Sequence, residues 1–191
     1  MTDKLQMVLS AIDAANAADP NSEEVEGGPR PAALLYGERM SAELGRLCPD
    51  ASEHLQIASR GQHIERWKLS RKDFPDGRSG YLDWRRTQAK THATRVSGMM
   101  EAAGYGEGDT ARVASLLRKE GIKRNPEMQM LEDVICYVFM RWYLADFAAK
   151  HTTEDLHRII SKTAKKMSSD AREQAVEVFS LPEDMARLMQ T

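Results

Sequence analysis

Three side chains in this 191-residue chain have the type and placement for chemistry: His63, His92 and Asp133. Asp133 stands in LEDVICYVFMRWYLADF, with Met130 three before it and Tyr137, Met140 and Leu144 four, seven and eleven after. The helix face that carries it is otherwise apolar. A buried, unpaired carboxylate costs on the order of several kcal/mol, so Asp133 must neutralise, pair with Arg or His, or bind a metal. The alternative is that Glu132 and Asp133 occupy the first turns of a helix, where the dipole favours acids. His92 has Ala89 three before and Val96 four after, which places it on an inward stripe, either as a ligand or as a hydrogen-bonded core residue. His63, in GQHIERW, follows Gln56 and Ser59 on a polar face and taken alone could face water. His54 is one turn further back, and His151 and His157 read as surface or helix-end residues. Side chains from three helices are enough for one metal ion. His63, His92 and Asp133 could hold Mn, Fe, Co, Ni or Zn to activate a water and polarise a phosphate, with Glu65 as general base.

A second constellation lies beside His63. Arg66, Lys68, Arg71, Lys72, Arg78, Arg85 and Arg86 are interleaved with Trp67, Phe74, Tyr81 and Trp84. From Arg66 to Arg95 there are nine basic residues and three acids. Guanidinium groups clamp phosphate or carboxylate bidentately, and aromatic rings stack on bases. In that reading Arg66, Arg71, Arg78 and Arg85 neutralise a substrate while Trp67 or Trp84 stacks on its base. Lys119, Lys123 and Arg124 extend the patch. The plainer reading is a solvated basic surface with aromatics half buried at helix ends. No Walker loop, GxGxxG, HExxH, GxSxG or Cys-His nucleophile pattern is present.

The elements that must position these groups are helical throughout. Helical spacing recurs along the chain and strand signals are nearly absent, so the expected fold is an all-α, single-domain multi-helix bundle. Helices are expected over Asp3 to Ala17, Pro31 to Leu47, Asp50 or Ser52 to about Trp67, and Tyr81 to Ala103, where Leu82, Ala89, Val96, Met99, Met100 and Ala103 are buried. PNSEEVEGGPRP reads as a loop, and KLSRKDFPDGRSG as a long functional loop. A short helix holds Val113, Leu116 and Leu117. The segment around Asp133, apolar nearly all round, reads as a helix through the centre of the domain. Two or three amphipathic helices follow from about Thr153 to Met189. The chain divides into an acidic N-terminal helix and loop (1–30), a core (31–150) and C-terminal buttressing helices (151–191).

Apolar residues make up 41 % and charged residues 29 %, a globular composition in a length that buries a real core. The net charge of −2 excludes a coat of one sign for nucleic acid or membrane. Cys48 and Cys136 lack any partner spacing and read as reduced thiols. The N-terminus is too polar for a secretory signal, and no run approaches the ~20 apolar residues of a membrane span. The cytoplasm is the expected compartment.

The strings LLYGERM, QHIERW, GRSGYLDWR, LLRKE and QMLEDVICYVF resemble the family known as domain of unknown function 4202, over nearly the whole chain. More distantly, the order of parts is similar to the HD-domain metal-dependent phosphohydrolases. Those are helical domains in which a His, a His-Asp doublet and a later Asp bind divalent metal and attack phosphoesters. The resemblance aligns ASEHLQIASRGQHIERW with the helix ending in the doublet, read here as Gln62-His63. It aligns LEDVICYVF with the last Asp, Asp133, and KTHATRV with an additional histidine, His92. The first His falls at Tyr36 or Gly37. The resemblance thus implies an HD-like phosphohydrolase acting on a nucleotide or related phosphoester, with Tyr36, Gln62 and Glu132 as further pocket residues. The other reading is a non-catalytic nucleotide- or RNA-binding module on the same fold, in which Asp133 pairs with His92 or an arginine. Either way the expected partner is a phosphate-bearing anion, with RNA as a second class and no membrane.

Overall fold

The computed structural model describes residues 3–122 and 124–190. Its contacts gather into two compact units, Met1–Ile122 and Lys123–Thr191. Among the described residues there are ten α-helices and one two-stranded ribbon, so the all-α expectation holds. No described helix is long and apolar enough to cross a membrane.

The first unit opens with α1 (Lys4–Asn16), which Asp3 caps by accepting from the Leu5 N–H at 3.1 Å. A hairpin follows, β1 (Ser22–Val25) and β2 (Gly28–Pro31), with Val25 facing Gly28 and Ser22 facing Pro31. This corrects the loop expected over PNSEEVEGGPRP. Gly27 and Gly28 both take positive φ, +96° and +107°, which lets the chain reverse there. Pro29 and Pro31 have no N–H to give, so only Gly28 and Arg30 can donate from β2. Ion pairs from Arg30 to Glu38 (2.7 Å) and Arg39 to Glu23 (2.5 Å) tie the ribbon to α2 (Ala32–Leu47). Part of the acidic N-terminal stretch is therefore spent on internal partners.

Next come α3 (Glu53–Arg60), α4 (Gly77–Ala102) and α5 (Glu107–Leu117). Val8, Ile12, Met40, Leu44, Leu55, Ile57, Val96, Met100, Leu116 and Leu117 fill the space among the five helices. Arg60 bridges α3 to α1 with a bidentate grip on Asp13 at 2.6 and 2.7 Å. The third helix is shorter than expected. It stops at Arg60, and residues 61–73 wind through turns with short 3₁₀ pieces at Arg66–Lys68 and Arg71–Asp73. The fourth starts one turn early, at Gly77, and Leu82, expected in the core, is exposed. Along α4 the inward stripe begins instead with Trp84, Gln88 and His92, spaced four apart.

Two glycines make these approaches feasible. A Cβ on Gly61 would stand 2.8 Å from Val96 Cγ2 and 3.2 Å from the Ile57 carbonyl, so the end of α3 lies directly against α4. A Cβ on Gly80 would meet the Pro75 carbonyl oxygen at 1.9 Å, which fixes the turn entering α4.

The second unit is built on α6 (Pro126–Val138), with Asn125 as N-cap and proline at the first turn. Met128, Leu131, Val134, Tyr137 and Val138 are buried. The apolar run does not continue as one central α-helix. A π-turn at Phe139–Tyr143 interrupts it, and α7 (Leu144–Lys150) has no fully buried residue. Three amphipathic helices complete the unit: α8 (Thr153–Ala164), α9 (Ser169–Val178) and α10 (Glu183–Gln190). Each of α8 and α9 is N-capped by a hydroxyl, Thr152 and Ser168 respectively.

Candidate functional site

His92 is the innermost polar group on α4, only 3 % exposed. One ring nitrogen donates to the Gln62 backbone carbonyl, and Nε2 is buried without a partner. The proton therefore sits on Nδ1 and a lone pair on Nε2. Burial first, then the nearby Arg66 and Arg85 charges, push its pKa down to about 4, against the upward pull of the Gln62 bond. At neutral pH the ring is uncharged.

His63 lies beside it, with ring centroids 6.4 Å apart. The His63 ring is stacked on Tyr36, at 3.8 Å and 16°. Arg66 Nη1 stands 3.2 Å from His63 Nε2. A guanidinium can only donate, so His63 Nε2 accepts and its proton is also on Nδ1. Burial, followed by Arg66, His92, Lys119 and Arg85, holds its pKa well below the usual histidine range. Ser59, read as part of a water-facing side of α3, is fully buried instead, so this face of α3 points inward.

The loop after α3 is pinned to α4 by side chains of the same stripe. Gln88 Nε2 donates to the Arg66 and Leu69 carbonyls at 2.9 and 3.1 Å, and Trp84 Nε1 donates to Leu69 at 3.1 Å. That places the Arg66 guanidinium over the Trp84 ring, 4.7 Å from its centroid. Arg85 reaches back one turn to the Tyr81 hydroxyl at 3.4 Å. Burial and then the Arg85 charge lower the pKa of Arg66, while Tyr36 and Tyr81 work the other way. Among the described residues, the main charges acting on Arg66, His63 and His92 include no carboxylate.

Two backbone features add to this. Of the three described non-glycine residues with positive φ, Glu65 (50°) and Lys119 (60°) stand at the site. The strained Glu65 turn is held by its N–H donating to Asn16 Oδ1, a buried side chain of α1, at 2.9 Å.

The remaining expected residues divide clearly. Tyr36, Gln62, His63, Arg66, Trp84, Arg85, His92 and Lys119 come together in the first unit. Glu65 is beside them, but its carboxylate is taken by Lys68 at 2.7 Å and Arg95 at 3.0 Å. Burial raises its pKa, and these two cations outweigh that and hold it below the usual range. Arg71 is committed to the loop, donating to the Phe74 and Gly77 carbonyls at 2.9 and 3.4 Å. Trp67 is half-buried in the 3₁₀ turn, and Arg78 is exposed at the start of α4. Lys123 lies outside the described residues.

Asp133 and Glu132 belong to the second unit, both buried. Asp133 Oδ1 accepts from the Ser168 N–H at 2.8 Å and from Gln129 Nε2 at 3.1 Å, and Oδ2 accepts from the Ser168 hydroxyl at 2.7 Å. Burial raises its pKa, with Glu132 adding to that, against the pull of these bonds. Its work within its own unit is to hold the N-cap of α9.

Among the described residues, no group of three or more His, Cys, Asp or Glu side chains stands where one metal ion could be held. The donors at the imidazoles fit a divalent cation poorly, because Arg66, Arg85 and Lys119 already impose positive charge there. They fit an anion. The sequence reading did not include Gln88, although its spacing of four from both Trp84 and His92 was the signal that it shares their face. His54, set aside as weaker, is bound to Asp109 at 2.8 Å.

No curated protein and no solved structure matches the chain significantly. The family model described as domain of unknown function (DUF4202) matches residues 6–189, and the chain belongs to that family.

Proposed function

We propose that the first unit binds a phosphate-bearing small molecule, a nucleotide or related phosphoester, and does so as a binding module without a metal ion. The observation that carries this is the charge pattern. Two half-buried guanidinium groups lie close enough for Arg85 to act on Arg66 and for both to act on two neutral imidazoles. Among the described residues the main charges on Arg66 and the imidazoles include no carboxylate. Buried like charges are unfavourable unless an anion joins them. A phosphate matches the guanidinium fork and accepts charge-assisted hydrogen bonds from both arginines. Lys119 adds to the field at His63.

The rim suits the rest of a nucleotide. Tyr81 is 44 % exposed and sits 5.9 Å from Trp84, and an aromatic face of this kind stacks on a base. Arg78 and Lys72 are exposed nearby and raise the encounter rate with an anion.

Binding is favoured over hydrolysis by the proton affinities. A general base works best with a pKa near the operating pH. His92, at about 4, lies far below that, and Glu65 is held low by two cations. The divalent ion implied by the resemblance to HD-domain phosphohydrolases would meet net positive charge at the imidazoles.

The test is calorimetric titration of the full chain with AMP, ADP and a 5′-phosphorylated oligoribonucleotide, at low ionic strength with a chelator present. Charge-assisted hydrogen bonds contribute about 1.5–3 kcal/mol each, so Arg66→Met with Arg85→Met should weaken binding at least about a hundredfold. Binding that no member of the panel shows, or that the double variant leaves intact, would refute the reading. Binding or turnover that appears only with added Mn or Zn would return the case to the metal-dependent enzyme.

A further inference from the structure

Buried polar atoms without partners are rare, and several of them sit together in the first unit: Ser59 Oγ, Gln62 Oε1, Gln88 Oε1 and His92 Nε2. Ser59 is in the last turn of α3 and Gln62 in the turn just after it, and Gln88 and His92 are one turn apart on the inward stripe of α4. Three of the four can only accept, while the Ser59 hydroxyl can also donate. His92 Nε2 is an acceptor because the other nitrogen donates to the Gln62 carbonyl. Gln88 Oε1 is an acceptor whose orientation is fixed, since Nε2 of the same amide is held by two backbone carbonyls. Gln62 Oε1 is a third acceptor. Beside a pair of guanidinium groups that call for an anion, the protein thus keeps acceptors that call for hydrogen-bond donors.

We propose that the site is built for a protonated phosphate, hydrogenphosphate or a phosphomonoester that carries its own P–OH, and that it discriminates against sulfate. This rests on the anion-binding reading above and adds the identity of the anion. Phosphate near neutral pH retains a proton on at least one oxygen in its inorganic form, and a monoester does so in part. Sulfate retains none. The P–OH donates to His92 Nε2 or Gln88 Oε1 while the unprotonated oxygens accept from Arg66 and Arg85. A sulfate in the same place sets an oxygen lone pair against an acceptor and leaves that acceptor unsatisfied, which is how a site built for hydrogen bonding rejects an analogue that lacks the donor.

The acceptors are shut off from solvent, so the anion reaches them as Arg66 leaves His63. The exchange is favourable in kind. Arg66 gives up a bond to a neutral ring at 3.2 Å and gains a charge-assisted one to an oxyanion.

The experiment compares inorganic phosphate with sulfate, titrated separately into the full chain at equal ionic strength and neutral pH. Phosphate should bind at least about tenfold tighter, the worth of one hydrogen bond made against one left unmade. His92→Phe removes the Nε2 acceptor and should bring the ratio of the two dissociation constants towards unity. Gln88→Met is the second variant, in case the first does not fold, and should lower the same ratio. If both anions bind equally well to the wild type, or the ratio survives in a folded variant of each kind, the discrimination proposed here is wrong and the anion site stands. If neither anion binds and the nucleotide panel also fails, the anion site itself falls.

Discussion

Lowering the pH should destabilise the first unit through His92 in a way that can be calculated. In the unfolded chain this imidazole has the ordinary pKa of about 6.5, whereas in the fold it is lowered to about 4. Between those values the unfolded state binds a proton that the folded state refuses, so stability rises with pH and is lost as pH falls. The contribution is fully present above about pH 6.5 and is gone once pH passes below about 4. The slope in that window is about 1.4 kcal/mol per pH unit, and from pH 7 to pH 5 the loss comes to roughly 2 kcal/mol from this residue alone. His63, lowered by the same causes, acts in the same direction. Carboxylates also titrate near the lower end, so the wild-type slope must be compared with that of His92→Gln, in which they remain. Urea unfolding followed by Trp67 and Trp84 fluorescence, in a Trp142→Phe background, reads the first unit at a series of pH values. The variant should be less stable at pH 7, where an amide replaces the ring. Its curve should nonetheless be flatter by about one proton's worth of slope between pH 4.5 and 6. Equal slopes in the two proteins would mean that His92 keeps an ordinary pKa in the fold. The neutral-imidazole description of the site would then be wrong.

Two further outcomes follow from the packing and from the second unit. Gly61→Ala should cost about 1–3 kcal/mol through overpacking against Val96, with the Cβ only 2.8 Å from Val96 Cγ2, and Val96→Ala in the same chain should recover part of that loss in a double-mutant cycle. Asp133→Asn replaces an acceptor of three hydrogen bonds by a group that turns N–H atoms on one of its donors, so thermal unfolding of the second unit should lose about 1–3 kcal/mol while anion titrations stay unchanged. An unaltered melting profile together with loss of ligand binding would assign Asp133 to the ligand instead.

The parts of this arrangement that were legible in the sequence are those written in short-range spacing. His92 inward on α4 follows from Ala89 and Val96, and the α3–α4 segment announced itself by its arginines and aromatics. What spacing does not encode is the partner of a polar group. Asp133 read as a lone buried carboxylate because its main partner, Ser168, lies thirty-five residues on, and only the fold brings the N-cap of α9 to it. His63, a candidate ligand, could on its own spacing have faced water because Ser59 and Gln56 are polar by type, yet Ser59 is buried and Tyr36 covers the His63 ring from another helix. The hairpin was hidden by prolines that usually exclude a strand, although a two-stranded ribbon has only edges and tolerates them. Leu82 shows the opposite failure. An apolar residue at a plausible helical position is exposed because the start of α4 turns Trp84 and Gln88 inward instead.

One criterion then bears on which polar groups of the proposed site serve the fold and which the proposed anion would occupy. A buried donor or acceptor left unpaired costs about 1–3 kcal/mol, so a group kept only for stability should have its partners inside the fold. Asp133 meets that standard, since both of its oxygens are engaged by Ser168 and Gln129, and the carboxylate that looked most chemical is structural by this criterion. Glu65 meets it too, between Lys68 and Arg95. His92 Nε2 and Gln88 Oε1 do not, and they stand beside Arg66, whose main charged neighbours among the described residues include Arg85 and no carboxylate. A fold could remove both costs with hydrophobic residues of similar volume. That the first unit instead keeps unpaired acceptors beside two neighbouring guanidinium groups is the combination that the proposed protonated anion would satisfy at once.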